Sequence, residues 1–224
     1  MDRAPGADTL HVWTIALDEA GPTTDVTSLS AEERARAARF VADEDRRRFV
    51  RAHAGLRAIL AGYLGVSPSA VTLTTGRWGK PGLDPDRHGS ALRYSLSHSH
   101  DVALVVVGRD RDVGVDVERV RPLADLDGLV TRFFSPGERA ALARTPAQRR
   151  QATFFAVWTL KEAYLKARGE GLSRPPESVE ITLDASGDGA SACALDAGAA
   201  GRRWELFRLS HLDGYAAAVA VEAG

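Results

Sequence analysis

The spacing of apolar residues along the chain changes period several times, and each change marks an element. His11-Val12-Trp13-Thr14-Ile15-Ala16-Leu17 reads as an opening strand, followed by a polar loop through Gly21-Pro22. Ser30-Ala31-Glu32-Glu33 fits a capping box, in which the serine side chain accepts from the Glu33 N–H and the glutamate reaches back, so a helix starts there. From about Asp45 to Tyr63, Phe49, Leu56, Leu60 and Leu64 recur on a helical repeat, with Gly65 as the stop. Val71 to Thr74 reads as a short strand and Gly76 to Gly82 as a turn-rich segment. Arg93 to Leu96 and Val102 to Val107 read as a strand pair around the polar turn Ser97-His98-Ser99-His100-Asp101. Next, Val113, Val115 and Val117 alternate with Gly114, Asp116 and Glu118, so a strand period of two sets both carboxylates on one side.

Beyond Pro122 the pattern begins again. Ser135-Pro136-Gly137-Glu138 is a second capping-box sequence about 105 residues after the first, opening a short Arg/Ala-rich helix. A long helix over 148–168 follows, free of Gly and Pro and stopped by Gly169 as Gly65 stops the earlier one. Trp204 to Leu209 and Tyr215 to Val221 close the chain as strands, with Ser210-His211 as the counterpart of Ser97-His98. This order predicts an internal duplication: an α+β fold of two similar halves, 1–111 and 112–224, related by a pseudo-two-fold axis with a ligand in the cleft between them.

Composition narrows the class. With 44% hydrophobic residues, 224 residues are enough to build a core, and a net charge of −1 argues against a nucleic-acid partner. The single cysteine, Cys193, rules out an intrachain disulfide, and Met1 to Gly6 lacks a signal-peptide pattern. The longest apolar run, Val102 to Val107, is far shorter than the roughly 20 residues that span a bilayer. A soluble, cytoplasmic protein without a membrane segment is expected. Of 29 basic residues, all but Lys80, Lys161 and Lys166 are arginine, which suggests that these three positions require a compact ammonium.

Trp158, Glu162 and Lys166 fall at i, i+4 and i+8, so one helix face carries an acid and a base. Asp116, Glu118 and Glu162 are hard oxygen donors suited to Mg²⁺, with Mn²⁺ as an alternative. An Asp-x-Glu strand alone is more often a solvated sheet edge; the helix supplies the third carboxylate. Lys161 and Lys166 would by default form surface ion pairs with Glu162, yet the helix around them is apolar, from Phe154 to Leu165. Ser97-His98 has no nucleophile elbow around it and reads better as phosphate donors or turn formers than as a catalytic pair. Gly79-Lys80-Pro81 lacks the longer glycine run and following Ser or Thr of a nucleoside-triphosphate loop. Arg46-Arg47-Arg48 with Arg51 reads as a solvated helix face or as a seat for a terminal phosphate.

Gly79-Lys80-Pro81, Leu96-Ser97-His98-Ser99, Gly114-Val115-Asp116-Val117-Glu118, Phe133-Phe134-Ser135 and the run from Trp158 to Lys166, in this order, resemble the surfactin-synthetase-activating type of 4′-phosphopantetheinyl transferase. The resemblance implies a two-half fold, coenzyme A in the cleft, and transfer of its phosphopantetheine arm to a serine of an acyl or peptidyl carrier protein, leaving adenosine 3′,5′-bisphosphate. It implies Asp116, Glu118 and Glu162 as Mg²⁺ ligands, with Glu162 also the base, directly or through water. It implies Lys161 and Lys166 as phosphate contacts, with Lys166 neutralising the leaving group. Lys80, Ser97 and His98 would meet the adenine and 3′-phosphate end, joined by Arg48 or Arg51. Apolar residues between about Val120 and Phe134 would face the carrier, with Arg119, Arg121 and Arg132 steering it. A monomer is expected, because one chain supplies both halves. The alternatives are another Mg²⁺-dependent pyrophosphate-cleaving enzyme and a non-catalytic module that binds CoA or a carrier.

Overall fold

The computed structural model describes residues 4–19, 26–76, 78–169, 174–183, 191–195 and 202–224; the expected Gly21-Pro22 loop and Arg77 lie outside the described residues. The chain runs β1 (His11–Ala16), α1 (Ala31–Ala37), α2 (Asp43–Leu64), β2 (Leu73–Thr75), β3 (Pro81–Leu83), α3 (Pro85–His88), β4 (Leu92–Ser99) and β5 (Val102–Arg109). It continues through β6 (Val113–Arg119), α4 (Leu126–Phe133), α5 (Pro136–Ala143), α6 (Ala147–Arg168), β7 (Glu180–Leu183), β8 (Ser191–Leu195), β9 (Trp204–Leu209) and β10 (Tyr215–Glu222). The strands form antiparallel sheets ordered β1-β5-β4, β2-β3 and β6-β10-β9-β8-β7, so the fold is α+β.

Local chemistry explains why the order of elements repeats. Both short helices begin with complete capping boxes, Ser30 with Glu33 and Ser135 with Glu138, and each such cap is worth about 1 kcal/mol. Both 22-residue helices end on a glycine in the left-handed region, Gly65 at φ 69° and Gly169 at φ 73°, where a side chain would be strained. Strand order β1-β5-β4 is matched by β6-β10-β9, and no sheet mixes described strands from before and after residue 111. The repeat is not complete: β2-β3 stands apart while β8-β7 extends the second sheet. Ser97-His98 lies inside β4, whereas Ser210-His211 lies beyond the end of β9.

The halves also share a buried cation. Arg57 on α2 is 2% exposed; its Nε donates to Glu33 Oε2 at 2.6 Å and its Nη1 to the carbonyls of Val71 at 2.8 Å and Pro68 at 3.3 Å. Lys161 on α6 is 0% exposed; its Nζ donates to Glu138 Oε2 at 2.6 Å and to the carbonyls of Val179 at 2.7 Å and Pro176 at 3.0 Å. In each half the acid is the glutamate of the capping box, and the carbonyls bracket a 3₁₀ turn, Pro68–Ala70 or Pro176–Ser178. One cation thus ties the long helix to the short one and to the turn that leads back to the sheet.

Apolar burial completes the frame. Leu56, Leu60, Tyr94 and Val105 pack α2 against the first sheet, and Phe134, Phe154, Leu160 and Tyr164 pack α6 around Leu206 of the second. Leu104 and Val106 meet Val113, Val115 and Val219 in a third cluster between the sheets. With both faces covered, β5 needs no alternation, hence its unbroken apolar run.

Candidate active site

Side chains stitch β4, at the edge of the first sheet, to β6, at the edge of the second. A period of two sends Ser95, Ser97 and Ser99 to one side of β4. Val115 N donates to Ser95 Oγ at 3.2 Å, Ser97 Oγ donates to Asp116 Oδ1 at 2.8 Å, and Ser99 Oγ donates to Glu118 Oε2 at 2.9 Å. This corrects the expectation that 97–101 is a turn. β4 runs through Ser99, because its hydroxyls find partners across the seam, and only His100 (φ 55°) and Asp101 reverse the chain.

On the other face of the seam, α6 lies directly on β6. The close approach requires Gly114, where a Cβ would stand 2.0 Å from the Ala163 carbonyl oxygen and 2.4 Å from Ala167 N. Neither backbone atom can yield, so Gly114→Ala should push α6 off the strand and cost about 3 kcal/mol, read as a lower urea midpoint with unchanged slope. The contact brings Lys166 Nζ to 2.6 Å from Asp116 Oδ1 and 2.9 Å from Ser97 Oγ.

Three carboxylates meet here, and the pKa of each is raised. Burial is the main cause for Asp116, against the opposing pull of Lys166 and Ser97. Burial acts first on Glu118 and Glu162 too, and the negative charge of Asp116 adds to it at both. Asp116 Oδ2 and Glu162 Oε1 are buried without a hydrogen-bond partner, a costly state for polar atoms. Among the described residues no three His, Cys, Asp or Glu side chains are gathered as a ready metal cage. Mg²⁺ rarely uses one: it takes one or two carboxylates and completes its octahedron with water and substrate phosphate oxygens. Two orphaned carboxylate oxygens in a mutually repelling acidic group fit such an ion.

Two cavities flank the seam, and His98 borders both. The smaller, about 340 Å³, is lined on its polar side by Arg36, His53, Lys80, Tyr94, His98 and Lys166. Desolvation there, helped by the charges of His53, Lys166 and Arg36, holds the His98 pKa below 6.5 although much of the ring is open to the cleft. Lys80 is partly committed, donating to the Ala167 carbonyl at 2.7 Å and standing 3.4 Å from Asp112, and burial lowers its pKa. The larger cavity, about 570 Å³, is lined by Arg48, Ser99, His100, Arg119 and Arg121, among others.

The structure therefore brings Asp116, Glu118, Glu162, Lys166, Lys80 and His98 together and sends three expected residues elsewhere. Lys161 does not reach a phosphate, because its ammonium is wholly buried and all three donors are used by Glu138, Pro176 and Val179. Ser97 lies in the carboxylate seam, its hydroxyl engaged by Asp116 and Lys166, and lines neither cavity. Arg51 is 6% exposed and lines neither cavity, whereas Arg48 lines the larger one while paired with Asp18 at 2.7 Å and with Glu44. Arg36, His53, Tyr94 and Ser95 are not singled out by the sequence, and Ser99 enters there only as part of the motif Leu96-Ser97-His98-Ser99. The alternation Ser95-x-Ser97-x-Ser99 could have revealed the seam, but no local pattern marks Arg36 or His53.

A family model described as 4′-phosphopantetheinyl transferase superfamily matches residues 112–220, and one described as 4′-phosphopantetheinyl transferase, N-terminal, matches residues 19–110. The 4′-phosphopantetheinyl transferase HetI of Nostoc sp. is 41% identical over 219 residues, 96% of this chain and 88% of that protein. The chain belongs to the 4′-phosphopantetheinyl transferase superfamily. Two further phosphopantetheinyl transferases are similar to it: psf-1 of Bacillus pumilus, 34% identical over 71% of this chain and 66% of its own, and Sfp of Bacillus subtilis, 27% identical over 71% and 68%. A solved holo-(acyl-carrier-protein) synthase from Bacillus anthracis, in complex with CoA (3′,5′-ADP), is 22% identical and covers 50% of this chain and 96% of its own at a TM-score of 0.43, a likeness too slight to add to the assignment. In this phosphopantetheinyl transferase the seam crosses the two matched regions, with β4 in the first and β6 and α6 in the second.

Proposed function

We propose that the protein transfers the 4′-phosphopantetheine arm of coenzyme A to a serine of an acyl or peptidyl carrier protein and releases adenosine 3′,5′-bisphosphate. One observation carries this reading. Lys166 and three carboxylates, one buried and two half-buried, two of them with unpartnered oxygens, stand beside a cavity rich in cationic side chains in a chain 41% identical to a phosphopantetheinyl transferase.

The serine oxygen bonds to the β-phosphorus, and the bond from that phosphorus to the bridging oxygen breaks. Lys166, already in the cleft, stabilises charge on the departing phosphate. Glu162 Oε1, unpartnered and made more basic by burial, takes the serine proton directly or through a water. Lys80 and His98 hold the nucleotide end in the smaller cavity. Arg119 and Arg121, at the larger one, face an acidic carrier, and Arg132, in the last turn of α4, adds to the steering. A Mg²⁺ ion, or Mn²⁺ in its place, would be held by Asp116, Glu118 and Glu162 and would supply charge neutralisation to the pyrophosphate oxygens. No helix among the described residues is long and apolar enough to cross a membrane, and we read the protein as cytoplasmic and monomeric.

Two measurements bear on this. Adenosine 3′,5′-bisphosphate should appear only when CoA and an apo carrier are both present; release without carrier would mean hydrolysis instead. The raised carboxylate pKa values also set a sign. The folded protein binds these protons more tightly than the unfolded chain, so without a divalent cation its stability falls as pH rises from the ordinary values of 3.8 and 4.5 through the raised ones. A cation competes with those protons, so Mg²⁺ should raise the melting temperature more at pH 8 than at pH 5, and Asp116→Asn should shrink that difference.

A further inference from the structure

The rim of the larger cavity carries a side chain that the transfer chemistry above leaves unused. Ser99 pairs with Val102, so His100 and Asp101 form the two-residue loop of the β4–β5 hairpin. His100 holds a φ of 55°, in the left-handed region that glycine fills most easily at the first position of such a loop. Asp110 is the other described non-glycine residue with a positive φ, and it lines neither cavity at the seam. The imidazole of His100 is exposed and lines the larger cavity, yet it has no hydrogen-bond partner among the described residues. The carboxylates of Asp18 and Asp101, which feel its charge, bond instead to Arg48 and Tyr215. Backbone strain with no internal bond to offset it points to a use outside the chain.

The loop is also held in place from the second half. Tyr215 Oη donates to Asp101 Oδ1, the Arg119 N–H donates to Ser99 Oγ at 3.1 Å, and the Leu17 N–H donates to the Asp101 carbonyl at 2.7 Å. Tyr215 pairs with Arg119 across β10 and β6, so the first two bonds fix the loop against one point of the second sheet. His100 and Arg119 thus share one rigid rim. Three arginines and two histidines line this cavity against a single carboxylate, Asp45, so the occupant it favours is anionic. An imidazole offers an N–H to a carboxylate in either protonation state.

Coenzyme A is anionic too, but its nucleotide end is placed in the smaller cavity, which His100 does not line. We propose that His100 binds the carrier protein, taking a carboxylate close to the serine that is modified, since its neighbour Ser99 bonds to Glu118 of the carboxylate seam. The inference rests on a carrier being the acceptor, as argued above. It adds a second wall to the carrier's dock, on the β4–β5 hairpin of the first half and outside the stretch 120–134.

Steady-state transfer to an apo carrier that the native chain modifies, with carrier and coenzyme A varied separately, tests it. His100→Gly should raise the KM for the carrier about fivefold and leave both kcat and the KM for coenzyme A within about twofold. His100→Asp also tolerates a positive φ but presents an acid to an acid, so it should raise the carrier KM further, at least about tenfold. Glycine relieves the strained φ, so His100→Gly should melt no lower than the native chain, which separates lost docking from lost structure. A fall in kcat at unchanged carrier KM, a weaker hold on coenzyme A, an aspartate variant as good as the native chain, or no change in either variant would each overturn the contact while leaving transfer intact. A native chain that modifies no carrier would remove both the contact and the proposed reaction.

Discussion

Lys161→Met is expected to melt about 10 °C below the native chain while the folded molecules bind coenzyme A with unchanged affinity. The side chain is 0% exposed and donates to Glu138 and to the carbonyls of Pro176 and Val179, so a thioether there leaves the Glu138 charge without its counter-ion and takes a donor from both carbonyls inside the protein. Removing one partner of a buried pair typically costs about 3–5 kcal/mol. Removing Glu138 as well would not restore stability, because its carboxylate also accepts the Ser135 N–H at 2.7 Å and the Ile181 N–H at 2.8 Å. Calorimetric melting with coenzyme A titration separates the two possible roles of Lys161. An unchanged melting temperature with a tenfold weaker affinity would make it a phosphate contact and contradict the brace.

Asp116→Asn should have the largest effect on transfer, a loss of at least about a thousandfold per folded molecule, with little loss of stability. Burial makes the native carboxylate costly despite the pull of Lys166 and Ser97, and the amide is of nearly the same size, so the apo protein gives up little. The active site gives up much more. Asp116 Oδ1 holds Lys166 at 2.6 Å and accepts from Ser97 at 2.8 Å, while Oδ2 is kept without a partner. An amide weakens the hold on Lys166 and replaces one of the hard oxygen donors by a hydrogen-bond donor. Glu162→Gln should lose transfer comparably, since it removes both the proton acceptor and the second orphaned oxygen. Single-turnover rates on an apo carrier at saturating coenzyme A measure both variants.

What could be read from the sequence was local. Capping boxes at Ser30 and Ser135, glycine stops at 65 and 169, and the Val/acid alternation of β6 each depend on a few neighbouring residues, and the structure has all of them. The short strands β3, β7 and β8 are not marked in the sequence, because a strand of three to five residues carries little periodicity of its own, and α3 and α4, of four and eight residues, are little longer than one and two helical turns. The polar run after Leu96 resembled a turn since its serines find their partners on β6, about 20 residues further on.

Lys161 and Lys166 show a signal that was present but not used. At about 100° per residue, Lys166 lies roughly 40° around the helix from Glu162, whereas Lys161 lies roughly 100° away on the other side. Only one of the two lysines can share the carboxylate face. The repeat offered a second hint, because Arg57 occupies in α2 the place that Lys161 occupies in α6, and both reach a capping-box glutamate. Arg36 and His53 had no such hint, since it is the packing of α1 on α2, and of α2 on the first sheet, that carries them to the cavity.

The most direct test of the central claim is the intact mass of an apo carrier protein after incubation with this protein, coenzyme A and Mg²⁺. The account predicts a gain of one phosphopantetheine group on the carrier, absent with Asp116→Asn or with a chelator present. No gain on any of several acyl and peptidyl carriers, from protein that still binds coenzyme A, would contradict it.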